Sequence, residues 1–148
     1  MSRVVVLDSG PAGLLARRGG IPIVDACNLW QDRLQAQGVH IVLPEIVDYE
    51  VRRELSRLNA VASIMRLDRL AVIFEYVPIT SDAMRLAALL WGQSRQQGQP
   101  TADPKELDGD VILAAQTILL DAADAVVATT NVGHLSRFVA AQRWQDIA

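Results

Sequence analysis

The sequence predicts an α/β fold, a single domain with a central, mainly parallel sheet flanked by helices on both faces. Its 148 residues match the size of one domain and are enough to bury a sizeable core. Short apolar runs alternate along the chain with longer segments of helical periodicity, and the connections are short. This alternation is typical of parallel sheets, whose strands are buried on both faces. In such open sheets, ligands bind beyond the carboxyl ends of the strands.

Five short runs predict strands, and the first of them is almost continuously apolar and rich in β-branched residues. In chain order they cover residues 3–7, 39–43, 71–77, 125–128 and 144–147. The first and the fourth turn polar abruptly, into Asp8-Ser9 and into Thr129-Thr130-Asn131. If these two strands are neighbours, their polar ends share one pocket.

Six segments predict helices, because apolar residues recur in them at helical spacing or because turn-forming residues bound them. They cover residues 12–17, 22–37, 45–58, 59–70, 81–96 and 108–121. Gly10-Pro11 separates the first strand from the first helix, and Gly38 ends the second helix. Gln, Gly and Pro between Gly92 and Lys105 predict a surface loop rather than a domain boundary.

Composition excludes several classes of protein. With 51% hydrophobic and 21% charged residues the chain is not disordered, and the single cysteine, Cys27, excludes an intramolecular disulfide and a thiolate zinc site. No apolar run is long enough to cross a bilayer, and the N-terminal one is too short for a signal peptide, so we expect a cytoplasmic protein without a membrane partner. The net charge of −3 argues against a large non-specific DNA binder.

Three separated acids are candidates for one site. Asp8 ends the first strand, Glu50 flanks the apolar stripe of its helix, and Asp110 directly precedes the apolar stripe of the last helix. Asp8 and Glu50 each have a structural alternative, because Asp8 can cap a helix and Glu50 can pair with a nearby Arg. Asp108 is the better cap for the last helix, which leaves Asp110 without that role. Clustered carboxylates repel one another unless a cation neutralises them, and oxygen ligands select Mg²⁺ or Mn²⁺. Metal-assisted hydrolysis of a phosphodiester is the resulting hypothesis.

The same acids occur in four spaced segments whose order spans most of the chain. These are residues 6–9 (VLDS), 44–51 (PEIVDYEV), 110–115 (DVILAA) and 128–131 (ATTN). Their order and spacing resemble those of the PIN-domain nucleases, in particular the VapC-type toxins of bacterial toxin–antitoxin pairs. The resemblance places Glu50 on the acidic position of the second segment and Asn131 on the family's Asn. Many relatives carry a further Asp three residues after that Asn, where this sequence has His134.

The resemblance implies a PIN-like fold and an endoribonuclease that depends on Mg²⁺ or Mn²⁺. It implies Asp8, Glu50 and Asp110 as the catalytic metal ligands. Three further residues are expected around those ligands or against the substrate, namely Ser9, Asn131 and His134. RNA is the implied substrate, a cognate antitoxin the implied partner and a homodimer the implied assembly. Asp103 and Glu54 are additional candidate acids.

A binding module of the same fold with weak or no hydrolysis, such as an RNA-binding or scaffold subunit, stays open as the alternative. Four arginines are candidates for phosphate contacts or for an ordinary solvated face, namely Arg17, Arg18, Arg52 and Arg53. Residues 58–70 are more apolar than one helix face requires, which indicates core packing, a groove for a partner helix or a dimer contact. His40 is expected to be structural or exposed, and Glu45 to serve the helix dipole.

Overall fold

The computed structural model describes residues 3–97 and 104–148, without the side chains of residues 104–107. Five strands form one sheet: β1 (Val4–Leu7), β2 (His40–Pro44), β3 (Glu75–Val77), β4 (Ala125–Thr129) and β5 (Ala141–Arg143). All neighbouring strands are parallel, in the order β3-β2-β1-β4-β5. The predicted α/β class with a parallel sheet is confirmed.

Seven α-helices flank this sheet within the described residues. They are α1 (Ser9–Leu15), α2 (Pro22–Ala36), α3 (Glu45–Arg57), α4 (Val61–Ile73), α5 (Ser81–Gln96), α6 (Pro104–Ile118) and α7 (Val132–Leu135). Over residues 3–97 and 104–148, none of the helices combines the length and the apolar character that crossing a membrane requires.

The central strand β1 explains the apolar character of the first predicted strand. Val5, Val6 and Leu7 have no exposed surface, and β1 is paired on both edges. A strand enclosed on both faces and both edges has no position for a polar side chain until it leaves the sheet. The first polar residue, Asp8, therefore stands at the carboxyl end of the strand.

The strand order places the predicted site at the centre of the sheet. From β1 the chain continues to β2 and β3 on one side, whereas β4 and β5 lie on the other. Ligands bind where the strand order reverses in this way, beyond the carboxyl ends. Leu7 is paired with Ala128, and the Asp8 N–H donates to the Ala128 carbonyl at 2.9 Å. The expectation that the first and fourth predicted strands are neighbours is confirmed.

The predicted strand over residues 144–147 is wrong. The last strand is β5, and residues 144–146 form a 3₁₀ turn. Trp144 and Ile147 are both buried, and a 3₁₀ turn aligns residues three apart on one side. The Trp144 ring packs against Trp30 with centroids 5.5 Å apart, and Trp30 Nε1 donates to the Ile147 carbonyl at 3.0 Å.

Three other boundaries differ from the prediction. Only the end of the predicted strand 71–77 is extended, because α4 continues to Ile73 with Leu70 and Phe74 buried one helical turn apart. The first helix begins at Ser9, not residue 12, since a proline is tolerated in a first turn, where the N–H has no helical partner. The predicted loop between Gly92 and Lys105 is shorter than expected. Its first five residues belong to α5 and its residues 104–105 to α6, while residues 98–103 lie outside the described part.

The apolar segment 58–70 contributes to the core only in part. Leu67 and Leu70 are buried, which confirms core packing for those residues. Leu58, Val61 and Met65 are instead more than half exposed. The start of α4 therefore presents an apolar surface that the described residues leave uncovered.

Candidate active site

Asp8 is held at the carboxyl end of β1 by two hydrogen bonds. The Ser9 N–H donates to Oδ1 at 2.7 Å, so Asp8 is the N-cap of α1, as its structural alternative predicted. The hydroxyl of Thr129, the last residue of β4, donates to Oδ2 at 2.7 Å. The carboxylate is thus fixed between two neighbouring strands, and capping does not exclude a second role. Thr129 was missed as a site residue, although the sequence shows it in the polar run that follows the fourth strand.

Asn131 is connected to the same group through its backbone. Its N–H donates to the Thr129 hydroxyl at 2.9 Å, so this hydroxyl relays between Asn131 and Asp8. Asn131 itself is exposed and is the residue that precedes α7. The segment that resembles the family's fourth motif therefore adjoins the first acidic residue.

Glu50 is half-buried on α3, and its charge is disfavoured. The pKa of its carboxyl is raised to about 7, first by burial and then by the negative charges of Asp8 and Asp110, while Arg53 lowers it. Charges act on one another over short distances in a protein. The three predicted acids therefore come from three separate elements, β1, α3 and α6, to one region of the molecule.

Gly109 lets α6 approach Glu50. A Cβ at this position would come within 2.6 Å of Glu50 Oε2, which is closer than atoms can pack. The helix thus brings its backbone directly against the carboxylate and presents Asp110 as the next residue. The sequence did not identify this role, because a glycine within a helix carries no sign of what it faces.

Asp110 is adjacent to His134. His134 Nδ1 lies 3.4 Å from Asp110 Oδ2, and both side chains are partly exposed. This places His134, which stands where many relatives carry an acid, against the third candidate ligand. The prediction that Asp108 caps this helix is wrong, because α6 begins four residues earlier, at Pro104.

The three acids lie in one region of the molecule but do not form a preassembled set of metal ligands. Among the residues that the structure describes, no three His, Cys, Asp or Glu side chains are grouped so as to hold a metal ion. A shared cation at Asp8, Glu50 and Asp110 stays a prediction. Of the two additional candidates, Glu54 is exposed and pairs with Arg57, and Asp103 lies outside the described residues.

A groove of about 640 Å³ opens beside Glu50. Its wall includes Ser9 and Arg17, which places both of these sequence-predicted residues next to the acidic group. Leu14, Leu55 and Leu58 make much of the remainder apolar. The site therefore continues into a groove between α1, α3 and the start of α4.

Arg52 was a candidate for a phosphate contact or for a solvated face. Its guanidinium is instead engaged by two carboxylates and is not available to bind phosphate. Its Nη2 lies 3.0 Å from Asp48 Oδ1 and 2.8 Å from Asp68 Oδ1. Asp48 is buried and also accepts a hydrogen bond from the Tyr76 hydroxyl at 2.8 Å. Arg52 therefore joins α3 to α4.

Two other residues that were assigned structural roles have defined partners. Glu45 does more than face the helix dipole, since its Oε1 accepts a hydrogen bond from the Ile79 N–H at 2.7 Å. His40 is exposed, as expected, and its Nε2 lies 3.3 Å from Glu75 Oε2.

Solved structures with this fold support the architecture. No protein-family model matches the sequence, and no curated protein matches it. A chain of VapBC2 from Rickettsia felis, bound to a DNA fragment from their promoter, superimposes with a TM-score of 0.73 at 16% identity, over 95% of this chain and 98% of that one. FitAcB from Neisseria gonorrhoeae gives 0.70 at 20% identity, over 97% and 99%. VapBC-1 from nontypeable Haemophilus influenzae gives 0.69 at 18% identity, over 97% and 99%. The predicted PIN-like, VapC-like fold is confirmed.

Proposed function

We propose that this chain is an endoribonuclease that depends on Mg²⁺ or Mn²⁺ and hydrolyses RNA phosphodiester bonds. The observation that carries the proposal is the electrostatic coupling of Glu50 to both Asp8 and Asp110 beyond the carboxyl ends of the central strands. Three carboxylates without a thiolate are the donor set of a hard divalent cation. Their mutual repulsion is a reason for them to stay apart until a cation draws them together.

The residues around the acids prepare the site for such chemistry. Asp8 is oriented by Ser9 and Thr129, so its free lone pairs are directed by the sheet rather than by a flexible loop. Glu50, with a pKa of about 7, exchanges its proton for a cation at neutral pH at little cost. A divalent cation, when bound, supplies the polarisation of water and phosphate for in-line attack that leaves a 5′-phosphate and a 3′-hydroxyl.

His134 and Asn131 flank the acids on the β4–α7 side. The imidazole of His134 lies beside Asp110, where it can donate a hydrogen bond to a phosphate oxygen of the substrate. Arg17 lies in the wall of the groove that contains Glu50 and contributes positive charge to the substrate path. RNA affinity that depends on this charge falls as salt is added.

The biological role we propose is that of a toxin controlled by an antitoxin in the cytoplasm. The fold likeness to chains of VapBC and FitAcB structures supports this role. The groove beside Glu50 is apolar enough to accept a partner helix, and a partner seated there reaches the acidic group. Co-expression with the product of the neighbouring gene should give a stable complex that no longer cleaves RNA. Cleavage that is unaffected by this product would contradict the toxin role.

A homodimer is the assembly we propose. Val61, Met65 and Val72 on α4 are each more than half exposed, and apolar side chains of this number on one helix favour a protein contact. Light scattering should give twice the mass of 16.2 kDa for the wild type. Replacement of Val61 and Met65 by Ser should shift the protein toward the monomer. A monomeric wild type at micromolar concentration would remove this part of the proposal.

The decisive experiment is RNA cleavage with and without divalent cations. The wild type should cleave single-stranded RNA in Mn²⁺, lose activity in EDTA and leave 3′-hydroxyl ends. Asp8→Asn should abolish cleavage while its melting temperature stays close to that of the wild type. Asp32→Asn, at an exposed acid on α2, is the matched control and should cleave normally. A 2′,3′-cyclic phosphate product would contradict the metal-water route.

One observation favours the alternative of an RNA-binding module without useful hydrolysis. No three potential ligands are pre-assembled around a cation in the described part of the chain. Such a module would bind RNA in EDTA and in Mn²⁺ alike, would leave it intact, and would be indifferent to Asp8→Asn. Calorimetric titration of Mn²⁺ separates the two functions, because only the nuclease requires binding that Asp8→Asn abolishes.

A further inference from the structure

Tyr49 differs from every other aromatic residue of the chain in its exposure. The three Trp, two Tyr and two Phe all lie within the described residues, and the other six are buried or half-buried. Tyr49 is 55% exposed. It directly precedes Glu50 on α3, so the exposed ring leaves the same helical turn as one of the three acids. An aromatic face left in water beside a catalytic group is a candidate contact for a ligand.

Arg53 lies over the Tyr49 ring, one helical turn further along α3. Its guanidinium carbon is 5.3 Å from the ring centroid, which is the geometry of a cation–π contact. Arg52, the preceding residue, is bound by two carboxylates, whereas no ion pair to Arg53 occurs among the described residues. Its charge also acts on Glu50. Among the described residues Arg53 is therefore a cation without an ion-pair partner, and it lies over the exposed ring and acts on the charge of Glu50.

A groove of about 440 Å³ adjoins Tyr49. Its wall is mainly apolar and includes Ile79, Met84 and Ile112, of which Ile112 lies two residues after Asp110 on α6. The groove is thus formed where α3 and α6 meet, which is also where Gly109 approaches Glu50. An unpaired base has room there against Tyr49, in a groove built by the two helices that carry Glu50 and Asp110.

We infer that Tyr49 and Arg53 form a platform on which an unpaired base of the RNA stacks, next to the phosphate that enters the acidic site. The inference rests on the proposed ribonuclease function and specifies its substrate as single-stranded. Every base has an aromatic face, so a stacking ring binds single strands with little sequence preference. In a duplex the bases are already stacked and paired, and they do not reach the ring. Arg53 supplies the positive charge for the adjoining phosphate.

The test compares a strand with bases and a strand without them. The probe is a fluorescein-labelled oligouridylate of roughly ten nucleotides, within the site size of single-strand binding domains, together with an abasic strand of equal length. Binding is measured by anisotropy in the Asp8→Asn background, so that the strand is not consumed. Tyr49→Ala should weaken binding of oligouridylate about five- to hundredfold, the range expected for one stacked base. It should leave binding of the abasic strand unchanged, and Tyr49→Trp should restore the affinity for oligouridylate.

One control variant and one further test variant separate base stacking from other roles of these residues. Leu29→Ala removes a side chain that is 68% exposed on α2 and should change neither affinity. Arg53→Met should weaken binding of both strands and reduce its salt dependence, because a phosphate contact does not need the base. Thermal melting of each variant verifies that the fold is intact, as expected for substitutions at exposed positions.

Four results would overturn the inference. If Tyr49→Ala binds oligouridylate as the parent does, the ring serves another partner, such as a protein. If the variant loses affinity for both strands alike, the ring does not contact a base. If the protein neither binds nor cleaves RNA, the proposed function and the platform fall together. Cleavage by the wild type that Tyr49→Ala leaves untouched would remove the platform and preserve the proposed nuclease.

Discussion

Replacement of Glu50 by glutamine tests whether the folded protein disfavours the negative charge of this side chain, through burial and through the neighbouring acids. The pKa of Glu50 is about 7, against an ordinary value of 4.5, and burial is the first cause. The charges of Asp8 and Asp110 add to it, and Arg53 only partly compensates. Glutamine has nearly the same shape without the charge. The substitution therefore removes the repulsion with little change in packing.

The sign of the effect follows from proton linkage. Because the folded protein holds this proton more tightly than the unfolded chain, the free energy of unfolding falls as the pH rises from about 4.5 to about 7. The shift corresponds to about 3.5 kcal/mol at roughly 1.4 kcal/mol per pH unit. Water screens the exposed part of the half-buried side chain, so we expect about 1–2 kcal/mol. Glu50→Gln should recover this amount at pH 8 and almost nothing at pH 4.

Urea unfolding in EDTA at the two pH values measures the difference. The matched control is Glu54→Gln, one turn further along α3, where the hydrogen bond from Arg57 lowers the pKa of the carboxyl. That variant should not gain stability at pH 8. Addition of Mn²⁺ should stabilise the wild type more than Glu50→Gln. A Glu50→Gln variant that is no more stable than the wild type at pH 8 would refute the reasoning, since the folded protein would then not disfavour the charge of Glu50.

Three further substitutions test the packing around the site. Gly109→Ala should lower cleavage about a hundredfold by displacing Glu50, yet leave urea stability unchanged or up to about 1 kcal/mol higher. Gln116→Leu should cost about 1–3 kcal/mol in urea unfolding, because the buried amide bonds the backbones of α3 and of β3. Gly10→Ala should cost about 1–3 kcal/mol by the same assay, since the new Cβ would lie 2.6 Å from Thr130 Cγ2. Unchanged cleavage by Gly109→Ala would contradict the first account, and unchanged stability of Gln116→Leu or of Gly10→Ala would contradict the second or the third.

The architecture could be predicted because burial on both faces leaves a strong signal in the sequence. Val5, Val6 and Leu7 need apolar neighbours on every side, and so do Val126, Val127 and Ala128 of β4. The end of such a strand is visible as the first polar residue, which is how Asp8 was identified. Sequence patterns of this kind depend on local burial and need no knowledge of distant contacts.

The wrong assignments arose where a short apolar run suits both a helix and a strand. Val72 and Ile73 are β-branched and predicted a strand, but both are more than half exposed on α4. Trp144 and Ile147 are buried through a turn and not through alternation along a strand. Periodicity over so few residues cannot decide between these structures, and tertiary contacts such as that with Trp30 decide instead.

The contacts that shape the site could not be predicted, because they join residues that are distant in the chain. The Thr129 hydroxyl reaches Asp8 across 121 positions. Gly109 is an interior residue of α6, where glycine costs about 1 kcal/mol relative to alanine. Helix propensity alone would disfavour it, and only the position of Glu50 Oε2 explains why a side chain is excluded there. A glycine at this position lowers helix stability, but it lets α6 carry Asp110 to the region of the other two acids.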